Sequence, residues 1–185
     1  MKFLIGLMCA FSMALWAQEP DAAAEQEAWM AFLTPGQPHT DMAQWAGTFD
    51  VKSKHWMDPN AEPTEAEGKM VNTLAMGGRY LVSSHTSSFM GMPFEGMNVQ
   101  GYDNAKKMYV SFWIDNMGTG FMYTEGNYND QGELVMTGTM SSPMGDLKVR
   151  EVMTTEGTDK QTLVMYFEMM GQEMKAMEVV MTRTK

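Results

Sequence analysis

From Thr48 to the carboxyl end the chain alternates apolar and polar residues with a period of two, and turn-forming residues interrupt the pattern about every ten positions. The interruptions are explicit: Gly77-Gly78, Gly91-Met92-Pro93, Asn104-Ala105, Asn116-Met117-Gly118, Asn129 to Gly132, Ser142 to Gly145, Gly157 to Asp159 and Gly171-Gln172. They divide the segment into ten predicted strands, at roughly 48–57, 65–76, 79–89, 94–103, 107–115, 119–128, 133–140, 146–156, 160–169 and 173–183. Connections this short force sequential strands to pair antiparallel. A sheet of that size exposes two long edges unless it closes on itself, and no long crossover of the kind a sandwich needs is visible. The expected fold is therefore all-β: a ten-stranded antiparallel up-and-down β-barrel.

What precedes the strands reads differently. Met1-Lys2 followed by the apolar run Phe3 to Trp16 has the charged start and short apolar stretch of a secretory signal peptide, with Ala17 as the small residue at the cleavage point. Cys9 sits inside this run behind the bulky Met8, which argues against lipidation. Asp21 then caps a predicted helix through Ala22 to Leu33, stopped by Thr34-Pro35-Gly36, with Trp29, Phe32 and Leu33 on one edge. A second helical turn is expected from Asp41 to Ala46, presenting Met42 and Trp45 and ending at Gly47. The predicted division is a signal peptide over 1–17, a helix and linker over 18–38, and one barrel domain over 39–185. No stretch after the leader is long and apolar enough for a transmembrane helix.

Charge and cysteine content narrow the chemistry. Without the leader the chain carries 12 basic and 23 acidic residues, a net charge of −11. Such a surface repels a phosphate backbone, so nucleic acid is not an expected partner. Its single cysteine lies in the leader, which leaves the exported protein without disulfides, thiolate metal sites or a cysteine nucleophile.

Strand parity assigns faces. Lys52 and Lys54 share the outer face of the first strand, so Phe49, Val51, Ser53, His55 and Met57 point inward. Lys148 and Arg150 likewise place Leu147, Val149, Glu151 and Met153 inside, where Glu151 needs a partner or a proton. On the fifth strand either face could line the interior; Tyr109, Ser111 and Trp113 are the expected lining, because a mixed polar and aromatic wall suits a ligand cavity.

The segment Trp45-Ala46-Gly47-Thr48-Phe49-Asp50-Val51 resembles the opening strand of lipocalins and fatty-acid-binding proteins, with Phe49 where those families have Trp. The segment Val179 to Thr184 resembles their closing strand, whose Arg packs over that aromatic. The pair implies a calycin-like barrel closed by Phe49 and Arg183. Gly77-Gly78-Arg79-Tyr80-Leu81, Gly91-Met92-Pro93-Phe94-Glu95-Gly96, Gly101-Tyr102-Asp103-Asn104 with Lys107 and Tyr109, and Trp113 to Gly120 resemble a bacterial family known as domain of unknown function 1579, over about residues 39–184. That resemblance implies the fold and no activity. The outline is also similar to nitrobindin-type barrels, which hold haem through a histidine near the carboxyl end; no histidine follows His85 here, so haem is not carried over.

The leaderless chain keeps 21 of the 24 methionines, Met1, Met8 and Met13 being in the leader. Thioethers bind Cu(I), but only Met177 with Met181, Met136 with Met140 and Met165 with Met169 share strand faces, and three loose pairs make no site. Methionine as adaptable filler, or as the lining of a permissive cavity, explains the excess more simply, and uptake of oxidants as sulfoxide is a further use. Ser83-Ser84-His85 does not make a hydrolase, because neighbouring strand residues face opposite ways and no nucleophile elbow is present. The sequence thus gives no catalytic residues, no metal ligands and no cofactor. It predicts an exported barrel holding a small, mainly apolar ligand, with His55, Arg79, His85, Glu95, Tyr102, Trp113, Asp115, Tyr123 and Glu151 as candidate contacts. The alternative is a barrel packed through with methionine, serving as a structural or oxidant-protective envelope protein.

Overall fold

The computed structural model describes residues 21–169 and 171–185; the expected leader and Cys9 lie outside the described residues. Two helices, α1 (Ala22–Leu33) and α2 (Gln37–Ala43), precede ten strands: β1 (Gly47–His55), β2 (Thr64–Ala75), β3 (Tyr80–Phe89), β4 (Met92–Asp103), β5 (Met108–Asp115), β6 (Met122–Tyr128), β7 (Leu134–Met140), β8 (Leu147–Glu156), β9 (Lys160–Met169) and β10 (Gln172–Arg183). Each strand pairs antiparallel with its sequence neighbour, and β1 pairs with β10, so the sheet is a closed barrel without a free edge. Among the described residues no helix is long and apolar enough to cross a membrane.

Closure rests on one pairing. Phe49 lies opposite Arg183 in the register that joins the first and last strands. Phe49 is fully buried, and the Arg183 guanidinium lies over its ring at 4.7 Å. The same guanidinium donates to the carbonyls of Ala46 (2.8 Å), Gln44 (2.7 Å) and Thr158 (3.0 Å), tying the chain entering β1 and the β8–β9 turn to the end of β10. Gly47 makes room for it: its φ is +134°, and a Cβ there would stand 2.5 Å from the guanidinium nitrogen.

Of the two helices, α2 covers this end of the barrel. α1 starts where expected, with the Asp21 carboxylate accepting from Ala23 N at 3.2 Å. None of its residues is buried, and Trp29, Phe32 and Leu33 are exposed. α2 begins at Gln37 rather than Asp41, because Pro38 suits a first helical turn and His39 Nδ1 accepts from Gly36 N at 3.0 Å. His39 and Met42 of α2 and the following Trp45 are buried, and Trp45 packs near Phe49.

Inward parity follows the lysines, as the sequence implied. The outer face of β1 and β2 carries the cross-strand ion pairs Lys52–Glu67, Lys54–Glu65 and Lys69–Asp50. They are exposed and contribute little. Met57, expected inside, falls beyond the end of β1 and is 83% exposed, because the strand period ends at His55.

Phe49→Ala is expected to cost about 3–5 kcal/mol and Arg183→Ala about 2 kcal/mol. Both act on one contact, so the double variant should lose clearly less than the sum in urea unfolding; strict additivity would show that the two residues do not form a unit.

Candidate functional site

The barrel encloses a cavity of about 420 Å³, within the range of small-molecule sites. Met42, Trp45 and Leu81 line its closed end, beneath α2. The odd-numbered hairpins (β1–β2, β3–β4, β5–β6, β7–β8 and β9–β10) surround the opposite end, and Met57 and Met117 from two of them contribute to the lining. Two walls of different chemistry result. Strands β2 to β5 present Asn72, Ser83, His85, Ser87, Asn98 and Ser111, while β6 to β10 present Met122, Met136, Met140, Met153, Met165 and Met177 with a single carboxyl, Glu151.

Near the mouth, aromatic rings and imidazoles pack together. Phe94 and Trp113 stack with centroids 6.3 Å apart, and His85 meets both rings edge-on at 5.6 and 6.4 Å. Gly96, inward-facing between Phe94 and Asn98, permits this: a Cβ there would stand 2.4 Å from the Trp113 ring. Trp113 Nε1 donates to the Asp115 carboxylate at 2.8 Å, and the other carboxylate oxygen accepts from Met117 N at 2.9 Å, so the β5–β6 turn fixes the indole. His55 packs on Phe89 at 4.9 Å and lies 2.9 Å from Ser53 Oγ.

Burial lowers the pKa of His55. It lowers that of His85 too, to which the charge of His55 adds, so both imidazoles are neutral at pH 7. Burial raises the Glu151 carboxyl, only partly opposed by the hydroxyl of Thr124, which donates to Glu151 Oε2 at 2.8 Å. At the closed end burial pushes Tyr109 and Tyr128 upward, and the negative charge of Asp41 adds to both shifts. Among the described residues no three His, Cys, Asp or Glu side chains gather as a metal site.

Residues 34–183 match the family described as Protein of unknown function (DUF1579). The chain belongs to that family. The match takes in α2 and every strand and leaves α1 outside. Among solved structures, that of Rv2717c from M. tuberculosis superposes with a TM-score of 0.61 at 14% identity, covering 82% of this chain and 100% of that one, a likeness of fold alone. No curated protein matches the sequence.

In this DUF1579 barrel, five of the nine residues singled out by sequence line the cavity: His55, His85, Trp113, Asp115 and Glu151. The inward choice on β5 holds, with Tyr109, Ser111 and Trp113 all in the lining. Tyr102 shares that inner face but lies at the closed end between His39 and Tyr109 (6.0 and 5.1 Å), outside the lining. Three residues point elsewhere. Arg79 belongs to the β2–β3 turn and donates to the carbonyls of Leu33 (2.7 Å) and Met76 (3.2 Å). It thereby fastens the end of α1, with Asn104, whose amide reaches the carbonyls of Ala31, Phe32 and Thr34. Glu95 falls between inward Phe94 and Gly96 and is exposed. Tyr123 falls between inward Met122 and Thr124; on the outer surface its hydroxyl bonds the Glu125 carboxylate and accepts from Lys106.

Asn72, Asn98 and Gln161 escaped the sequence reading. On β2 the outward Val71 is apolar and the inward Asn72 beside it is polar, so hydropathy alone inverts the faces. The usable signal was parity counted from Lys69, which bonds Asp50 on the outside.

A carboxyl with a raised pKa favours folding below its ordinary value near 4.5 and loses that contribution as pH rises through the folded value. Glu151→Gln keeps the acceptor for Thr124 and removes the ionisation. The gain in Tm over the parent should therefore be small near pH 4.5 and widen toward pH 8. A difference independent of pH would mean that Glu151 is not the buried titrating group.

Proposed function

We propose that this protein is an exported barrel that binds a small, mainly apolar molecule inside the cylinder. The observation that carries the reading is the cavity of about 420 Å³, lined by methionine and aromatic side chains together with a few convergent polar groups. A barrel kept only for structure would gain from filling this volume, because interiors normally pack to the density of organic crystals. Methionine suits the role: its thioether is apolar, polarizable and adapts to the shape of a guest. The mouth cluster of Phe94, Trp113 and His85 offers flat surfaces for stacking, and Trp113 is held in place by Asp115. Export is proposed from the leader-like residues 1–17.

Native mass spectrometry of the protein isolated from its own host reads both points. The expected mass is that of a chain starting at Gln18, with an additional organic component that organic solvent removes. Trp113→Ala should weaken rebinding of the extracted component by about tenfold. Protein that is consistently empty and refuses its own extract would contradict the proposal.

A second reading is favoured by a separate observation. Each of the five hairpins at the mouth carries an exposed methionine: Met57, Met90, Met117, Met144 and Met169. Such thioethers can consume oxidants as sulfoxides without disturbing a core. If this is their role, mild peroxide should convert these five, with the likewise exposed Met76, Met92 and Met97, before any buried methionine, methionine sulfoxide reductase should restore them, and Tm should not change. Simultaneous oxidation of buried Met122, Met136 and Met165, or loss of the fold, would contradict it.

A further inference from the structure

The cavity lacks positive charge. Among the described residues no Lys or Arg lines it, whereas Asp41, Asp115 and Glu151 do. Arg183 faces the closed end but is engaged by the ring of Phe49 and the carbonyls of Gln44, Ala46 and Thr158. Both lining histidines are neutral at pH 7 because burial lowers their pKa. A carboxylate or phosphate entering here would leave water without a counter-charge and approach acidic groups, and an ammonium would meet Asp41 and Asp115 already engaged by Gln37, Trp113 and Met117, so either charge is costly in an apolar interior.

The closed end also holds an acceptor without a partner. Asn72 lines the cavity at 4% exposure, and its Nδ2 is committed to the carbonyl of Trp45 at 2.9 Å. That bond fixes the amide orientation and leaves Asn72 Oδ1 buried without a hydrogen-bond partner. Buried acceptors are rarely left unpaired. Ser111 and Asn98, which also line the cavity, satisfy each other at 2.7 Å.

We propose that the ligand is an uncharged, mainly apolar molecule bearing a hydroxyl or N–H group, seated with that donor on Asn72 Oδ1 at the closed end and its hydrocarbon part along the methionine wall. This rests on the ligand-binding reading above and specifies the chemistry of that site. It sets this barrel apart from a carrier of fatty-acid anions, which would call for a cation at the position of Asn72.

The test uses ligands that share one chain and differ only in the head. Phenyl-naphthylamine, an uncharged apolar fluorophore with one N–H, is loaded into solvent-extracted protein and displaced by decanol, decyl methyl ether, decanoate or decylamine at pH 8. Decanol should displace it at about tenfold lower concentration than each of the other three, because the ether lacks the donor and the last two carry charge. Asn72→Leu should take up the fluorophore and no longer distinguish decanol from the ether; should that variant fail to fold, the ligand series on the parent protein decides alone. Decyl methyl ether equal to decanol would overturn the donor contact. Decanoate or decylamine equal to or better than decanol would overturn the requirement for an uncharged ligand, with cavity binding still standing. Failure of the fluorophore and all four compounds to bind would overturn the ligand-binding reading itself.

Discussion

The contact between Arg183 and Phe49 holds the ends of the sheet together. An up-and-down meander pairs each strand with its sequence neighbour through short turns, so nine of the ten seams form from local chain. The seam between β1 and β10 is different, since it joins residues more than a hundred positions apart and bears the loop-closure entropy of the whole domain. A guanidinium that covers a buried ring and gathers three backbone carbonyls from two separate segments concentrates stabilisation at that seam. Gly47 is part of the arrangement because any side chain there would occupy the space of the guanidinium.

Closure sets the interior. Once the sheet is a cylinder, parity sends every second side chain inward, and the sequence distributes those side chains unevenly around the circumference. One wall is hydroxyl, amide and imidazole, the other is thioether, and among the described residues no Lys or Arg joins the acids in the lining. Polar groups such as Ser111 with Asn98 and Thr124 with Glu151 are satisfied in pairs, which lets them remain in an apolar space. The outer surface carries the charge balance instead, as in Lys148–Glu168 and Arg150–Glu173.

Much of this was legible in the chain. Alternation and turn residues located all ten strands to within about three positions, since each turn is encoded locally by glycine, asparagine or proline. The opening and closing motifs located the clamp. Site residues were harder to read, because facing depends on parity and parity resets at every turn. Where a charged residue fixed it, as Lys52 did for His55 and Arg150 did for Glu151, the reading was right. Arg79 sits in a turn, where parity says nothing, and its charge serves helix carbonyls. Glu95 and Tyr123 have suitable chemistry, yet each sits between two inward-facing neighbours on its strand and therefore faces out. Asn72 was invisible because an inward amide beside the outward Val71 reverses the usual hydropathy signal.

A barrel clamped by Arg183 and Phe49 is hollow along its methionine wall. Crystals of solvent-extracted protein pressurised with xenon test it directly, because an apolar void takes up the gas and a packed interior does not. Ordered xenon is expected inside the cylinder against the methionines of β7 and β9. Diffraction showing those side chains collapsed onto the polar wall, with no xenon between them, would contradict it.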